Sequence, residues 1–399
     1  MITANNSQAK VIRDAVNWYL YGSDLVFQIA GNPGTGKSFV LHEIIRELGI
    51  APSRVAPMAY TGAAAIVMRL KGFPNAKTIH SWLLEPIQAP KYNDDGSLRM
   101  NNYFGIPETG LGFRPKEKPL DKIDILVIDE GGMVPIEMLP LLEKHRIKIL
   151  VAGDVDQLPP VNATPAFLYT GEVHYLTEIM RQSQGSGIIY LSQRMLHDLP
   201  IHMGHYGDVL VIYDDEVTNE MIMNSDILIC GKNDTRQRLT DMVRHDIFGY
   251  GDGLPCNGER LVCRQNNWRI EKEGINLANG LVGTVENFPD PTGLGRKTFK
   301  IDFKPLLIHS VFENLECDYE YFKAPFKDKQ RLKFAKYSEG EKMEFAYAIT
   351  THISQGSQYA NGIYFEEYLN KDINRNLHYT GITRFSNFCI YVKKRPMYH

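Results

Sequence analysis

Apolar residues recur along this chain with two periods, and each period predicts an element. Over residues 7–20, Val11, Ile12, Ala15, Val16 and Tyr19 fall on one face of a helix. The run Leu25-Val26-Phe27-Gln28-Ile29-Ala30 reads as a buried strand, and Phe39, Val40, Ile44, Ile45 and Leu48 restore the helical period after a glycine-rich loop. Further buried strands are predicted at 54–59, 123–128 and 147–152, each alternating with a helical stretch, which implies a parallel sheet covered by helices. A second set begins near 209, with strands at 209–213, 227–230, 347–350, 362–365 and 388–392. Two α/β lobes fit this pattern better than one.

Two stretches interrupt the lobes. Residues 85–119 hold prolines, glycines and asparagines around Asn93-Asp94-Asp95-Gly96, and Asp-Gly is a strong hairpin signal. Between 258 and 340, short strands at 260–263, 283–288 and 298–303 are separated by glycine and proline, the pattern of a small β-barrel. The predicted organisation is therefore a first lobe over 1–84 and 120–175, broken by the hairpin at 85–119. The second lobe covers 176–257 and 341–399, broken by the barrel-like insertion at 258–340.

Composition changes this picture little. The 399 residues exceed what one hydrophobic core ordinarily serves, and 43% hydrophobic with 23% charged residues excludes a disordered chain. A formal charge of -3 excludes a protein coated in basic residues but does not decide the partner of a protein that grips its ligand in one groove. Cys230, Cys256, Cys263, Cys317 and Cys389 are scattered without a CxxC pair, so reduced thiols are expected rather than a zinc site. The first residues lack a basic and apolar leader, and no run of about 18 apolar residues occurs, so a soluble cytoplasmic protein with no membrane partner is expected.

The chemistry sits at the ends of the predicted strands. Gly31-Asn32-Pro33-Gly34-Thr35-Gly36-Lys37-Ser38 matches GxxxxGK[ST] between a strand and a helix, the context a phosphate-binding loop requires. Its glycines let backbone N–H groups converge on phosphates at a helix N-terminus. Lys37 is expected to reach the β and γ phosphates of ATP, and Ser38 to bind Mg²⁺. The apolar strand ending in Asp129-Glu130 delivers two carboxylates to the same crevice. Asp129 is expected to hold Mg²⁺, and Glu130 to orient and deprotonate the attacking water. After a third strand comes Gly153-Asp154-Val155-Asp156-Gln157-Leu158-Pro159-Pro160-Val161, where the Gln157 amide can both donate to and accept from a γ phosphate and its water.

The series resembles the superfamily 1 DNA helicases of the phage Dda and bacterial RecD branch. Beyond the segments quoted, the likeness rests on Thr61-Gly62-Ala63-Ala64-Ala65, Thr78-Ile79-His80-Ser81, Leu176-Thr177-Glu178-Ile179-Met180-Arg181-Gln182, His352-Ile353-Ser354-Gln355-Gly356-Ser357 and Tyr379-Thr380-Gly381-Ile382-Thr383-Arg384, in the family's order. It implies two RecA-like lobes of P-loop NTPase fold with an SH3-like barrel, ATP and Mg²⁺ between the lobes, and nucleic acid across both. Gln8 would read the adenine edge, and Phe39 and Gly356 would join the nucleotide site. Arg181 and Arg384 would be arginine fingers; on sequence alone a surface ion pair is the plainer reading of each, and motif order reverses it. Tyr60, Thr61, Gly62, Thr78, His80, Asn233, His352 and Ser354 would contact the strand. The chain departs from the family at Ile353, where lysine is common, and at Gly131-Gly132, where a serine hydroxyl is lost. Gly381 replaces a frequent alanine or valine, a change expected to matter little.

The resemblance also makes the 85–119 hairpin, with Tyr92, Leu98, Tyr103, Phe104 and Phe113, the pin that splits a duplex. The charges Lys323, Lys327, Lys329, Arg331, Lys333 and Lys336 then either support the strand from above or line a solvated helix. The implied activity is ATP-dependent, 5′-to-3′ unwinding by a monomer acting on single-stranded DNA and single/double-strand junctions. A DNA-stimulated ATPase that displaces proteins without unwinding is the alternative, while the paired acids and late arginines argue against a small-molecule kinase.

Overall fold

The computed structural model describes residues 4–90, 97, 100–101, 106–107, 109–160, 163–180, 185–251, 253–288, 297–306, 308–333, 340–371 and 373–396. Helix Asn6–Tyr21 opens the chain, capped by the Asn5 side chain in a reciprocal box with Gln8, and buries Val11, Ile12, Ala15 and Trp18. Those residues pack with Phe27, Val40, Leu41 and Ile44 into the core on one face of the first sheet.

That sheet has six parallel strands in the order Val173–Leu176, Val26–Gly31, Lys148–Gly153, Ile125–Ile128, Val55–Ala59, Lys77–Thr78. Its four inner strands are buried almost throughout, as expected of a parallel sheet covered on both faces. The edge strands carried no readable signal: Val173–Leu176 is only partly buried, and Lys77–Thr78 is two residues long.

A second six-stranded sheet runs Gly204–Tyr206, Val209–Tyr213, Phe385–Lys393, Tyr359–Phe365, Ile227–Cys230, Ala348–Thr350. Only its first pair is antiparallel, so this lobe is mixed rather than purely parallel.

The insertion is a five-stranded antiparallel sheet ordered Phe312–Asp318, Thr298–Pro305, Val282–Asn287, Arg260–Cys263, Met343–Phe345. Glu341, just before the last strand, bridges back to Cys317: the Asp318 N–H donates to the Glu341 carbonyl at 3.0 Å, and the Glu341 N–H to the Glu316 carbonyl at 2.7 Å. This bridge joins the two edges into a barrel, whose final strand lies past residue 340. A hairpin of Asn267–Lys272 and Ile275–Leu277 leaves the barrel and docks on the first lobe. There Arg69 donates to the Glu273 carbonyl and, at 3.0 Å, to that of Gly274, and the Ser81 hydroxyl donates to Asn276 Oδ1 at 2.5 Å.

The other predicted hairpin is present, with Leu84–Pro90 antiparallel to Thr109–Pro115. Tyr92, Leu98, Tyr103 and Phe104 lie outside the described residues. Phe113 turns its ring onto Trp268 of the insertion, with centroids 5.7 Å apart. Lys329 is withdrawn from solvent, 4.0 Å from the buried Glu344 that Arg236 also pairs with at 2.9 Å, so it neither faces a strand nor lines a solvated helix. Lys323, Lys327 and Arg331 are exposed, and the side chains of Lys333 and Lys336 are outside those described. None of the five cysteines is in a disulfide, and among the described residues no helix is long and apolar enough to cross a membrane.

Helix Asn374–Ile382 lies between the second sheet and the first lobe. A Cβ on Gly381 would overlap the Tyr364 ring, which overturns the expectation that this glycine is interchangeable with alanine. Gly381→Ala should destabilise the protein by about 1–3 kcal/mol through overpacking, seen as a lower urea midpoint. An unchanged midpoint would mean the ring moves aside freely.

His378 on the same helix lies 2.9 Å from the Tyr364 hydroxyl, and burial lowers its pKa from 6.5 to about 4. Unfolding lets this ring take up a proton below pH 6.5, so its contribution is complete above 6.5 and is lost as pH falls towards 4. Acid should therefore remove about 2 kcal/mol from the wild type that His378→Gln does not lose, measured by urea unfolding at about pH 7.5 and about pH 5. Parallel losses in the two proteins would refute the assignment.

Candidate functional site

Parallel strands deliver their C-terminal ends to one edge, and here three of them end in chemistry. The loop after Val26–Gly31 turns through Gly34 and Gly36, both with positive φ, into helix Lys37–Glu47. Lys37 folds back so that Nζ donates to the Gly31 carbonyl at 2.5 Å, and Thr35 Oγ1 donates to the Asn32 carbonyl at 2.8 Å. Strand Ile125–Ile128 delivers Asp129, 5% exposed, and Glu130, whose backbone is left-handed at φ 54°. Strand Lys148–Gly153 leads to Asp154 and Gln157, both buried.

Lys37, Asp129, Glu130, Gln157 and Arg384 of the second lobe line one crevice of about 410 Å³ that also takes in Asn32, Pro33, Gly34, Gly36, Ser38, Phe39 and Gly356. Arg384 is 4% exposed; its Nε donates to the Thr380 carbonyl at 3.1 Å and its Nη1 lies 4.0 Å from Glu130 Oε1. Gln157 Oε1 is buried with no hydrogen-bond partner among the described residues, which leaves it open to a polar ligand in the crevice. A hydroxyl on Ser38 and a carboxylate on Asp129 form the oxygen donor set that Mg²⁺ takes, so these residues fit the ion.

The second lobe grips the loop after Lys148–Gly153. Tyr379 donates to Asp154 Oδ2 at 2.6 Å, Asn376 Nδ2 to the Asp156 carbonyl at 2.7 Å and Gln355 Nε2 to the Leu158 carbonyl at 2.6 Å, while the Leu158 N–H donates to Thr380 Oγ1 at 2.9 Å. Burial pushes the Asp154 carboxyl upward, opposed by Lys37 and by the Tyr379 hydroxyl.

Several expected residues sit differently. Gln8 is 1% exposed, its amide nitrogen donating to the Thr35 carbonyl at 2.8 Å and its oxygen accepting from the Asn5 N–H at 3.1 Å. It buttresses the loop through one of its amide hydrogens. Arg181 lies outside the described residues; Met180 before it donates its N–H to the Gly34 carbonyl at 2.8 Å. Ser354 is fully buried with its hydroxyl donating to the Thr351 carbonyl at 2.8 Å, which leaves it nothing to offer a strand. Thr78 is buried too, capping the helix that carries His80 and donating to Ser81 Oγ at 2.9 Å. Gly62 is covered by the insertion, since a Cβ there would lie 2.6 Å from that of Ala278.

Tyr60, Thr61, His80 and His352 keep part of their surface, and Asn233 is exposed. Two of the departures have packing reasons: a Cβ on Gly131 would overlap Val151, and Ile353 packs against the core of the second lobe. At Gly132, where the serine is lost, a Cβ would meet only ordinary contacts of 3.4 Å or more, and nothing in the structure explains the glycine.

Sequence reasoning missed Lys71 and Gln355. Lys71 follows helix Gly62–Leu70 and places Nζ 3.5 Å from Asp129 Oδ2, whose charge raises the lysine's pKa. Lys71 lies outside every motif, and Gln355, although inside the motif at 352–357, acts on a residue far away in sequence.

Two RecA-like lobes with a phosphate-loop crevice between them define a P-loop NTPase fold. A family model described as an AAA domain matches residues 3–208. The chain belongs to this family, on the Pif1/RecD branch of superfamily 1, which bears out the resemblance on its RecD side. The ATP-dependent DNA helicase Pif1 of Psychrobacter is 31% identical over 184 residues, 40% of this chain and 25% of that protein. The ATP-dependent RecD2 DNA helicase of Deinococcus radiodurans is 29% identical over 178 residues, 42% of this chain and 21% of that protein. A Pif1 helicase from Bacteroides in complex with ADP-AlF3 and ssDNA has the same fold, with TM-score 0.55 at 16% identity over 98% of this chain and 92% of that one. The chain spans about a third or less of the curated relatives it matches.

The grip on Leu158 is open to test. Gln355→Ala leaves a buried carbonyl unsatisfied and should lower stability by about 1–3 kcal/mol in urea unfolding. Wild-type stability would show the bond to be immaterial.

Proposed function

We propose that this chain is an ATP-driven motor that moves along single-stranded DNA and separates the duplex at a junction, with 5′-to-3′ polarity. One observation carries the reading. The catalytic set is divided, with Lys37, Asp129, Glu130 and Gln157 on the first lobe and the buried Arg384 reaching towards Glu130 from the second. Hydrolysis then depends on how the lobes meet, and lobe motion is what a motor converts into travel.

In this reading Glu130 takes the proton of the attacking water, Gln157 orients that water, and Lys37 with Arg384 neutralises charge on the transferring phosphoryl group. Arg181 is assigned as the second finger. Ser38 and Asp129 would hold Mg²⁺, which supplies charge stabilisation between the β and γ phosphates when bound. Tyr60, Thr61, His80, Asn233 and His352 keep the surface needed to meet a strand. The DNA-bound Bacteroides Pif1 of the same fold supports DNA as that strand.

A tailed-duplex assay with ATP tests the whole reading. Unwinding is expected on a 5′ tail and not on a 3′ tail, with ATP turnover raised by single-stranded DNA. Turnover indifferent to DNA would sink the motor. Glu130→Gln should bind ATP without hydrolysing it, and Arg384→Ala should lower hydrolysis by about 10³-fold, in the range of other arginine fingers. An active Glu130→Gln protein would remove the base assignment.

A further inference from the structure

Helix Gly62–Leu70 joins the two ends of the proposed machine. It has nine residues, a length of about 13 Å at about 1.5 Å each, and its residues from Gly62 to Met68 are buried. At its N-terminus the Thr61 hydroxyl caps the helix through the Ala64 N–H at 3.2 Å. The same end touches both other bodies: Gly356 of the second lobe, at φ 74°, has room for no side chain, since a Cβ there would lie 2.8 Å from Thr61 Oγ1 and 2.8 Å from Ala64 Cβ. Gly62 meets Ala278 of the insertion just as closely.

At its C-terminus Lys71 is held twice. His42, on the helix that begins at Lys37, donates Nε2–H to the Lys71 carbonyl at 2.7 Å and stacks on Phe73 at 4.1 Å between centroids. The Lys71 ammonium stands 3.5 Å from Asp129 Oδ2 and lines the nucleotide crevice. A buried helix clamped at both ends moves as a unit, because a close-packed interior does not absorb displacement at one end alone.

We propose that Lys71 is a positioning residue that couples the nucleotide crevice to the nucleic-acid edge of the first lobe, by sharing Asp129 with the divalent cation of the nucleotide. This rests on the ATP-driven reading above. Asp129 cannot give the same oxygen to an ammonium and a divalent cation, and the two like charges repel at that distance. Loading the crevice therefore turns Lys71 away from Asp129 and shifts the helix it terminates. Thr61 and Gly62 move with the far end, against Gly356 and Ala278. By reciprocity, a strand that repositions Thr61 changes the competition at Asp129.

The experiment has two arms on the full chain. In the first, binding of a fluorescent ADP is followed as Mg²⁺ is titrated into wild type, Lys71→Met, Lys71→Gln and Lys71→Arg. The uncharged variants should reach half-maximal Mg²⁺-dependent binding at a Mg²⁺ concentration about 5-fold lower or more, while Lys71→Arg follows the wild type. In the second, the affinity for a single-stranded oligonucleotide is measured with and without Mg·ADP. The ratio of the two affinities should move towards one in Lys71→Met and Lys71→Gln. An unchanged Mg²⁺ midpoint in these variants, at wild-type urea midpoints, overturns the proposal, as does a wild-type affinity ratio in the second arm. A wild type that ignores the oligonucleotide overturns the motor reading instead, and the first arm still judges the competition at Asp129.

Discussion

The loop from Asp154 to Leu158 belongs to the first lobe but is bonded to the second, through Tyr379, Asn376, Thr380 and Gln355. Everything else at the crevice depends on that grip. It sets the distance from Arg384 to Glu130, because Thr380 both takes the Leu158 N–H and offers its carbonyl to Arg384. It also places Gln157 between two bonded neighbours. Hydrogen bonds of this kind contribute about 1 kcal/mol each, so the lobes are joined firmly enough for one geometry and weakly enough for ligand binding to change it.

The crevice gathers three cations, Lys37, Lys71 and Arg384, against Asp129 and Glu130, and Lys37 also acts on the buried Asp154 outside its lining. Their influence runs across the set: Asp129 and Glu130 both raise the Lys71 pKa and Arg384 opposes them, while Lys37 counteracts the burial that pushes Asp154 upward. Adding a polyphosphate with its cation to such a set rearranges pairs rather than filling an empty bowl. That is the electrostatic reason why a lysine missing from every motif can matter to the others.

What was legible in the sequence was local. The four inner strands of the first lobe were readable because each is a short apolar run, and the phosphate loop because its spacing has one structural meaning. Arg384 is found in the crevice where motif order implied it, although its neighbourhood alone would suit a surface ion pair. Lys71 was invisible, and the role of Gln355 unreadable within its motif, because they act on partners 58 and 197 positions away. Thr78 and Ser354 show the converse: a hydroxyl in a motif reads as a contact, but burial decides whether it is free, and burial belongs to the packing of three bodies.

That burial bears on the track itself. With Thr78 and Ser354 spent inside the protein and Gly62 roofed by Ala278, the proposed strand contacts that keep exposed surface are Tyr60, Thr61, His80, Asn233 and His352. None is a fixed cation. Burial lowers the pKa of both His80 and His352, so these rings stay neutral near pH 7, and His80 already stacks on Trp268 at 5.2 Å. Ile353 replaces the one lysine that the family commonly offers there. In the proposed reading a strand would be met here by rings, an amide and one hydroxyl rather than by ammonium groups, and such contacts release few counterions. Weak dependence on salt would then follow from the same packing that closes the insertion over the first lobe.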